Sequence, residues 1–255
     1  MVLDNFRRAV FTPLILAVGF IGYPHSQASA FETSALQAAV VDMQTGATLL
    51  QKDADTAMFP ASMTKMMTAY MLFERIKTGG LSLEDTFPVS EKAWRKGGSK
   101  MFVKVGDRVK VEDLIRGIVV QSGNDATIVV AEGIAGSESA FADLMTEKAH
   151  ELGMSGTTFR NASGWPDPEH VTTARDLATL AVATIRNFPD LYKYYSEKSF
   201  TYNNIKQGNR NPLLYKGVGA DGLKTGHTEA SGYGLTGSAA RDGRRLGVGV
   251  NGLMS

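Results

Sequence analysis

Strand-forming segments stand at both ends of this chain, with a mostly helical stretch between them, so the two ends must meet in one sheet. Near the N-terminus Ala38 to Met43 reads as a strand, Gln44-Thr45-Gly46 as a tight turn, and Ala47 to Gln51 as the returning strand. Toward the C-terminus Gly222 to Gly226, Gly232 to Ala240 and Arg245 to Gly252 are short, Gly-rich strand segments, and Arg241-Asp242-Gly243 is a hairpin turn. Together they predict a mixed α+β domain on a five-stranded antiparallel sheet.

The middle of the chain carries helical periodicity. Ser62 to Lys77 buries Met63, Met66, Met67, Tyr70, Met71, Leu72 and Ile76, and Gly79-Gly80 stops it. Leu81 to Gly106 is irregular, and Trp94 within it is assigned to packing. Asp107 to Leu114 passes from a short extended piece into a helix with Leu114, Ile115, Ile118 and Val119 on its apolar face. Ser122-Gly123-Asn124 breaks that helix, and two more follow, Asp125 to Gly133 and Ser137 to Leu152. Gly153 through His170 is rich in Gly, Ser, Asn and Pro and reads as a surface loop, after which Thr172 to Asp176 opens a helix running to Asn187. Tyr192, Tyr194, Tyr195, Phe200 and Tyr202 are assigned to core or edge-strand packing in preference to a groove.

Bulk properties narrow the function. With 43% hydrophobic and 21% charged residues, the 255-residue chain is an ordinary folded protein. Its 27 basic and 26 acidic residues leave no excess of positive charge to hold a phosphate backbone, which argues against nucleic-acid binding. Without cysteine, disulfides and thiolate chemistry are excluded. Arg7 and Arg8 precede an apolar run from Ala9 to Tyr23, and Ala28-Ser29-Ala30 supplies a cleavage site, so residues 1–30 read as an export leader. His150, His170 and His227 lack metal-ligand spacing and His25 lies in the leader, so neither metal nor cofactor is expected. Gly217 to Gly222 satisfies a dinucleotide-binding glycine pattern but precedes a strand where it should follow one, and is set aside.

Three short motifs carry chemistry. Ser62 and Lys65 sit three apart at the start of the first helix, close enough for the amine to serve the hydroxyl as base. Ser122-Gly123-Asn124 occupies a break between helices, and Lys224-Thr225-Gly226 a Gly-rich strand. Singly these are helix caps and surface charges. Cleaving a peptide through an acyl-enzyme needs a nucleophile, a base, a proton route to the leaving amine and donors for the oxyanion. Ser62 fits the nucleophile, and Lys65 fits the base if burial and a second cation, Lys224, depress its pKa from the usual value of about 10.4. A substrate ending in a free carboxylate calls for a cation and hydroxyl donors, which Lys224, Thr225 and Arg210 offer.

In this order the motifs resemble those of the low-molecular-mass penicillin-binding proteins, the serine D-alanyl-D-alanine carboxypeptidases. The resemblance runs from about Ala38 to the end and includes Pro60 to Thr68, Val119 to Ala126 and Asp221 to Thr228. It implies a five-stranded antiparallel sheet packed on a helical subdomain, the β-lactamase and transpeptidase-like fold, with the site between them. Ser62, Lys65 and Ser122 would be catalytic, with Ser122 relaying the proton. Asn124 would bind the substrate amide, and Lys224, Thr225, Gly226, His227 and Arg210 would bind the rest of the substrate. The backbone N–H groups of Ser62 and His227 would hold the oxyanion. Arg210, in Asn209-Arg210-Asn211, looks like the family's carboxylate-recognising segment.

The expected activity is removal of the terminal D-alanine from peptidoglycan stem peptides, with β-lactams as covalent inhibitors. Rival readings are a D,D-endopeptidase, a β-lactamase and an inactive cell-wall-binding module. Class A β-lactamases deacylate with a Glu and water, and the chain shows no matching Glu-x-x-Leu-Asn segment, since Glu169 has other neighbours. The family normally continues into a covering helix, often a second β domain and a membrane anchor. Ser255 precedes all three, so the expected organisation is a leader and one catalytic domain, 31–255, with apolar surface exposed near the last strand.

Overall fold

A computed structural model describes residues 32–254, so the expected leader lies outside the described residues. In chain order the elements are β1 (Gln37–Asp42), β2 (Thr48–Lys52), α1 (Lys65–Lys77), β3 (Thr86–Pro88), α2 (Glu91–Arg95), β4 (Arg108–Lys110), α3 (Val111–Val119), α4 (Asn124–Ala135), α5 (Glu138–Glu151), α6 (Ala174–Asn187), α7 (Pro189–Tyr192), β5 (Ser199–Tyr202), β6 (Ile205–Gly208), β7 (Ala220–Thr228), β8 (Gly232–Arg241) and β9 (Arg244–Leu253). The main sheet is antiparallel in the order β2-β1-β9-β8-β7, so strands from both ends of the chain pair side by side. The five expected strands all lie in it. The small hairpins β3–β4 and β5–β6 are additions within stretches too short and polar to show a period.

Local chemistry fixes the sheet's turns. Asp42 Oδ1 accepts the N–H groups of Gln44 and Thr45 at 2.9 and 3.0 Å, and its Oδ2 meets Arg244 at 2.6 Å, tying the first hairpin to β9. Asp242 and Gly243 have φ of +50° and +75°, as a two-residue primed turn requires. One face of the sheet packs on α6, whose N-cap Thr173 accepts the Asp176 N–H at 3.0 Å. Gly249 makes that approach possible, because a Cβ there would stand 2.6 Å from the Ala174 carbonyl oxygen. On the opposite face Val40, Leu235, Leu246, Val248 and Val250 are only partly buried.

The larger core lies among the helices, and α1 runs through it. Met66, Met67, Leu72 and Phe73 have no exposed surface, so each contributes about 1.5–3 kcal/mol of burial. Ser62 is not in the α-helix proper: Ala61–Thr64 forms a 3-10 turn and the α-helix begins at Lys65. Tyr192, Tyr194 and Tyr195 are buried in this core, as expected, and Phe200 and Tyr202 pack against it. Two expectations are corrected. Trp94 is 43% exposed, so it does not pack into the core. The Gly153–His170 segment is a surface loop only in part, because Phe159, Asn161, Ala162, Ser163, Gly164 and His170 are buried while Arg160, Trp165, Pro166, Pro168 and Glu169 are exposed. Side chains such as Asn161 and His170 satisfy its backbone in place of water.

The close contact of β9 with α6 yields a stability prediction. Gly249→Ala should destabilise the protein by about 1–3 kcal/mol and lower Tm by roughly 2–10 °C, read by thermal unfolding. An unchanged Tm would mean that α6 moves away freely.

Candidate active site

Ser62 sits on a turn that is forced into shape from both sides. Ala61 takes φ of +46°, and Met63 N–H donates to the Pro60 carbonyl at 3.1 Å. Gly226 of β7 rests on this turn, and a Cβ there would come within 2.9 Å of Pro60 O and 3.2 Å of Ser62 N. Gly164 rests on it from the other side, with φ of +81° and a hypothetical Cβ 1.7 Å from Ala61 O. No side chain fits at either position.

Lys65 is fully buried at the first turn of α1. Its Nζ stands 3.0 Å from Ser62 Oγ and donates to the Ser163 carbonyl at 2.6 Å. Burial drives its pKa well below the ordinary lysine range, and the charges of Lys224 and Arg210 push the same way. A neutral amine has one lone pair, and with an N–H spent on Ser163 that pair is available to the Ser62 hydroxyl. Lys224 is 3% exposed, donates from Nζ to the Thr225 carbonyl at 3.0 Å, and is lowered to about 7 by burial and then by Arg210.

Ser122 occupies the break between α3 and α4 with φ of +60°, an uncommon conformation for a residue with a side chain. Its buried Oγ has no hydrogen-bond partner among the described residues. Gly123 must lack a side chain, since a Cβ would stand 2.9 Å from Met101 N. Asn124 donates from Nδ2 to the Gly97 carbonyl at 2.8 Å, which turns Oδ1 the other way as the free acceptor.

Ser62, Ser122, Arg210, Thr225, Gly226 and His227 line one cleft of about 640 Å³, together with Ser99 and Tyr233. Lys65 and Lys224 are buried, and Asn124 holds the Gly97–Ser99 segment. Arg210 donates from Nη1 to Ser99 Oγ at 2.7 Å. The side chains of Asn209 and Asn211 shape its turn by accepting the N–H groups of Asn211 and Leu213, each at 3.0 Å. His227 stacks against its cross-strand partner Tyr233 with ring centroids 4.1 Å apart.

The sequence pattern missed the segment behind Lys65. Asn161 Oδ1 accepts the N–H groups of Gly164 and Trp165 at 2.8 and 3.0 Å, folding the turn that aims the Ser163 carbonyl at Lys65. His170 Nδ1 accepts the Arg160 N–H at 3.0 Å, so its proton is on Nε2, which donates to Thr64 Oγ1 at 2.8 Å. Burial lowers this imidazole to about 4, which keeps it neutral at pH 7. The Asn-x-x-Gly turn signal was visible, but nothing in a sequence marks a backbone carbonyl as a ligand for an amine. Glu169 is turned to solvent and pairs with Arg160 at 3.3 Å, away from the serine.

Comparison with known proteins follows the same lines. Residues 24–252 match the D-alanyl-D-alanine carboxypeptidase family. The chain is 42% identical over 204 residues to the D-alanyl-D-alanine carboxypeptidase DacA of Haemophilus influenzae, covering 78% of this chain and 52% of that protein. The D-alanyl-D-alanine carboxypeptidase DacD from Francisella tularensis superposes with a TM-score of 0.88 at 38% identity, over 89% of this chain and 68% of that one. Penicillin-binding protein D2 from Listeria monocytogenes, in its ampicillin-bound form, gives 0.80 at 30% identity, over 89% and 93% of the two chains. The chain thus spans about half the length of the curated relative it matches. With the fold, the three motifs and a match over nearly all the described residues, the chain belongs to the D-alanyl-D-alanine carboxypeptidase family.

Proposed function

We propose that this chain is an exported serine D-alanyl-D-alanine carboxypeptidase, which removes the terminal D-alanine from peptidoglycan stem pentapeptides and is acylated by β-lactams. The observation that carries this reading is the pairing of Ser62 Oγ with a buried, depressed lysine amine at 3.0 Å, on a cleft that also holds Arg210. The leader-like N-terminus supports export, and among the described residues no helix is long and apolar enough to cross a membrane.

In acylation, Lys65 takes the Ser62 proton as Oγ attacks the carbonyl carbon of the penultimate D-alanine. The oxyanion forms beside the Ser62 and His227 backbone N–H groups, and its collapse breaks the C–N bond. The proton passes from Lys65 to the leaving amine through Ser122, whose unpartnered hydroxyl is suited to accept and donate in turn. Asn124 Oδ1 accepts the N–H of the substrate's acyl side. Thr225 and Arg210 receive the terminal carboxylate, and Lys224 supplies charge beneath it. A free carboxylate opposite Arg210 favours carboxypeptidase action over cutting cross-links. Water then hydrolyses the ester, again with Lys65 as base. Among the described residues lining the cleft there is no carboxylate, and Glu169 faces solvent, so nothing of the class A kind prepares that water and β-lactam acyl-enzymes persist.

Incubated with a stem pentapeptide, the protein should release D-alanine and leave a cross-linked dimer largely intact; strand separation without D-alanine release would make it an endopeptidase. A fluorescent penicillin should label it covalently, and Ser62→Ala should abolish labelling and lower turnover by at least about 10³-fold. Label on the Ala variant would remove Ser62 as nucleophile.

The two lysines predict the pH profile. kcat/KM on a free-carboxylate peptide should already be high near neutrality, because Lys65 is neutral well below the usual lysine range. It should fall above about pH 7 as Lys224 loses its charge, while the fall in kcat shifts higher because bound carboxylate stabilises the ammonium. A profile rising only near pH 10 would show that the Lys65 pKa is not depressed.

A further inference from the structure

The imidazole of His170 is buried between two elements that the reaction needs in register. The Gly153–His170 segment brings the Ser163 carbonyl to Lys65 Nζ at 2.6 Å, and the 3-10 turn Ala61–Thr64 carries Ser62. His170 is 2% exposed and Thr64 not at all, and the ring meets Phe159 edge-on with centroids 5.4 Å apart. Nδ1 accepts the Arg160 N–H, so Nε2 holds the proton and donates to Thr64 Oγ1 at 2.8 Å. Because burial lowers the imidazole to about 4, this division of donor and acceptor persists over the whole neutral range.

The bond to Thr64 is not needed to close the segment. At its neck Thr158 and Val171 exchange backbone hydrogen bonds at 2.9 and 3.0 Å, and the next residue, Thr172, does the same with Met58 at 2.8 and 2.9 Å. The turn that carries Ser62 has less to hold it. Ala61 has no polar side chain, and the Ser62 hydroxyl is committed to Lys65 and the substrate. Met63 Sδ accepts from Thr236 Oγ1 at 3.4 Å, a weak bond toward the sheet. Apart from the nucleophile, Thr64 Oγ1 is therefore the one side-chain oxygen by which the turn can be pinned, and His170 pins it. Gly164 packs close to the same oxygen, where a Cβ would come within 2.9 Å.

Resting on the acyl-serine reading above, we propose that His170 is a positioning residue for acylation: through Nε2 and Thr64 it sets the approach of Ser62 Oγ to Lys65, while Nδ1 serves the fold. A displacement of about 1 Å can cost roughly a hundredfold in rate, so a side chain that does not touch the reacting atoms can govern the chemical step.

Amide side chains separate the two nitrogens. Glutamine sets an N–H near the place of Nε2 and nothing near Nδ1, whereas asparagine sets an amide oxygen near Nδ1 and nothing near Nε2. With fluorescent penicillin in excess, His170→Gln should keep the limiting acylation rate within about threefold of wild type. His170→Asn should lower it roughly ten- to a hundredfold, with the half-saturating concentration nearly unchanged. Thr64→Val should fall as far as His170→Asn, and Thr64→Ser should stay near wild type. The double variant Thr64→Val with His170→Asn should be no slower than the slower single one, because both remove the same bond. All rates are read well below the lowest Tm, so that unfolding does not enter them, and if neither His170 variant folds the Thr64 pair decides alone. Equal rates in the Gln and Asn variants, or a Thr64→Val protein that acylates like the wild type, overturn the proposal and leave the carboxypeptidase reading standing. The expected pattern in labelling, without D-alanine release from a pentapeptide, overturns the carboxypeptidase reading and upholds the role of His170. A wild type that is neither labelled nor active on the pentapeptide overturns both.

Discussion

Two lysine amines are buried in this protein, and among the described residues neither forms an ion pair with a carboxylate; the rest of the site is arranged around that fact. A buried ammonium is costly unless it is paired, so each amine must lose its proton or find an opposite charge from outside. Lys65, fully enclosed and facing the field of Lys224 and Arg210, is pushed toward the first course. Lys224, poised at about 7, is balanced between the two. The cleft thus favours an anion, which in the proposed function is the free carboxylate of a peptide. The same electrostatics that depress Lys65 therefore favour an anion in the cleft.

Holding a neutral amine in place requires hydrogen bonds that do not favour its protonation strongly, and a backbone carbonyl is such a partner. The buried segment from Phe159 to His170 delivers it. Asn161 folds the turn, Thr68 Oγ1 donates to the Ala162 carbonyl at 2.6 Å, and the His170 imidazole holds Thr64. With the Lys65 bond to the Ser163 carbonyl, these contacts join the segment to α1 at Lys65 and Thr68 and to the preceding 3-10 turn at Thr64. Ser62, Lys65 and the segment behind them therefore belong to one packed unit.

The legible parts of the molecule were those written in side-chain pattern. Both terminal hairpins and the order of the longer helices could be read from spacing, because strand and helix periods and Asp-Gly turns are local properties, whereas the motifs were joined into one site by resemblance to a family. Trp94 and the Gly153–His170 segment could not. A Trp is usually packed, but whether a partner surface exists is a tertiary matter, and polar turn residues look the same when they face water or each other. Ser163 escaped notice for a related reason: its contribution is its carbonyl oxygen, which every residue has. Ser99, which bonds Arg210 across the cleft, lies in a stretch with no period at all.

The nucleophile turn is clasped between Gly164 and Gly226, where backbone meets backbone with no space for a methyl group. One half of the site is therefore closed to evolutionary adjustment, since almost any substitution at its two clasping points displaces the serine itself. Variation that retunes the enzyme toward other peptides, or away from antibiotics, is channelled to the opposite bank, where Ser99, Arg210 and Tyr233 present side chains. Lineages descending from such a scaffold should keep an unchanging heart and diversify along a single shore.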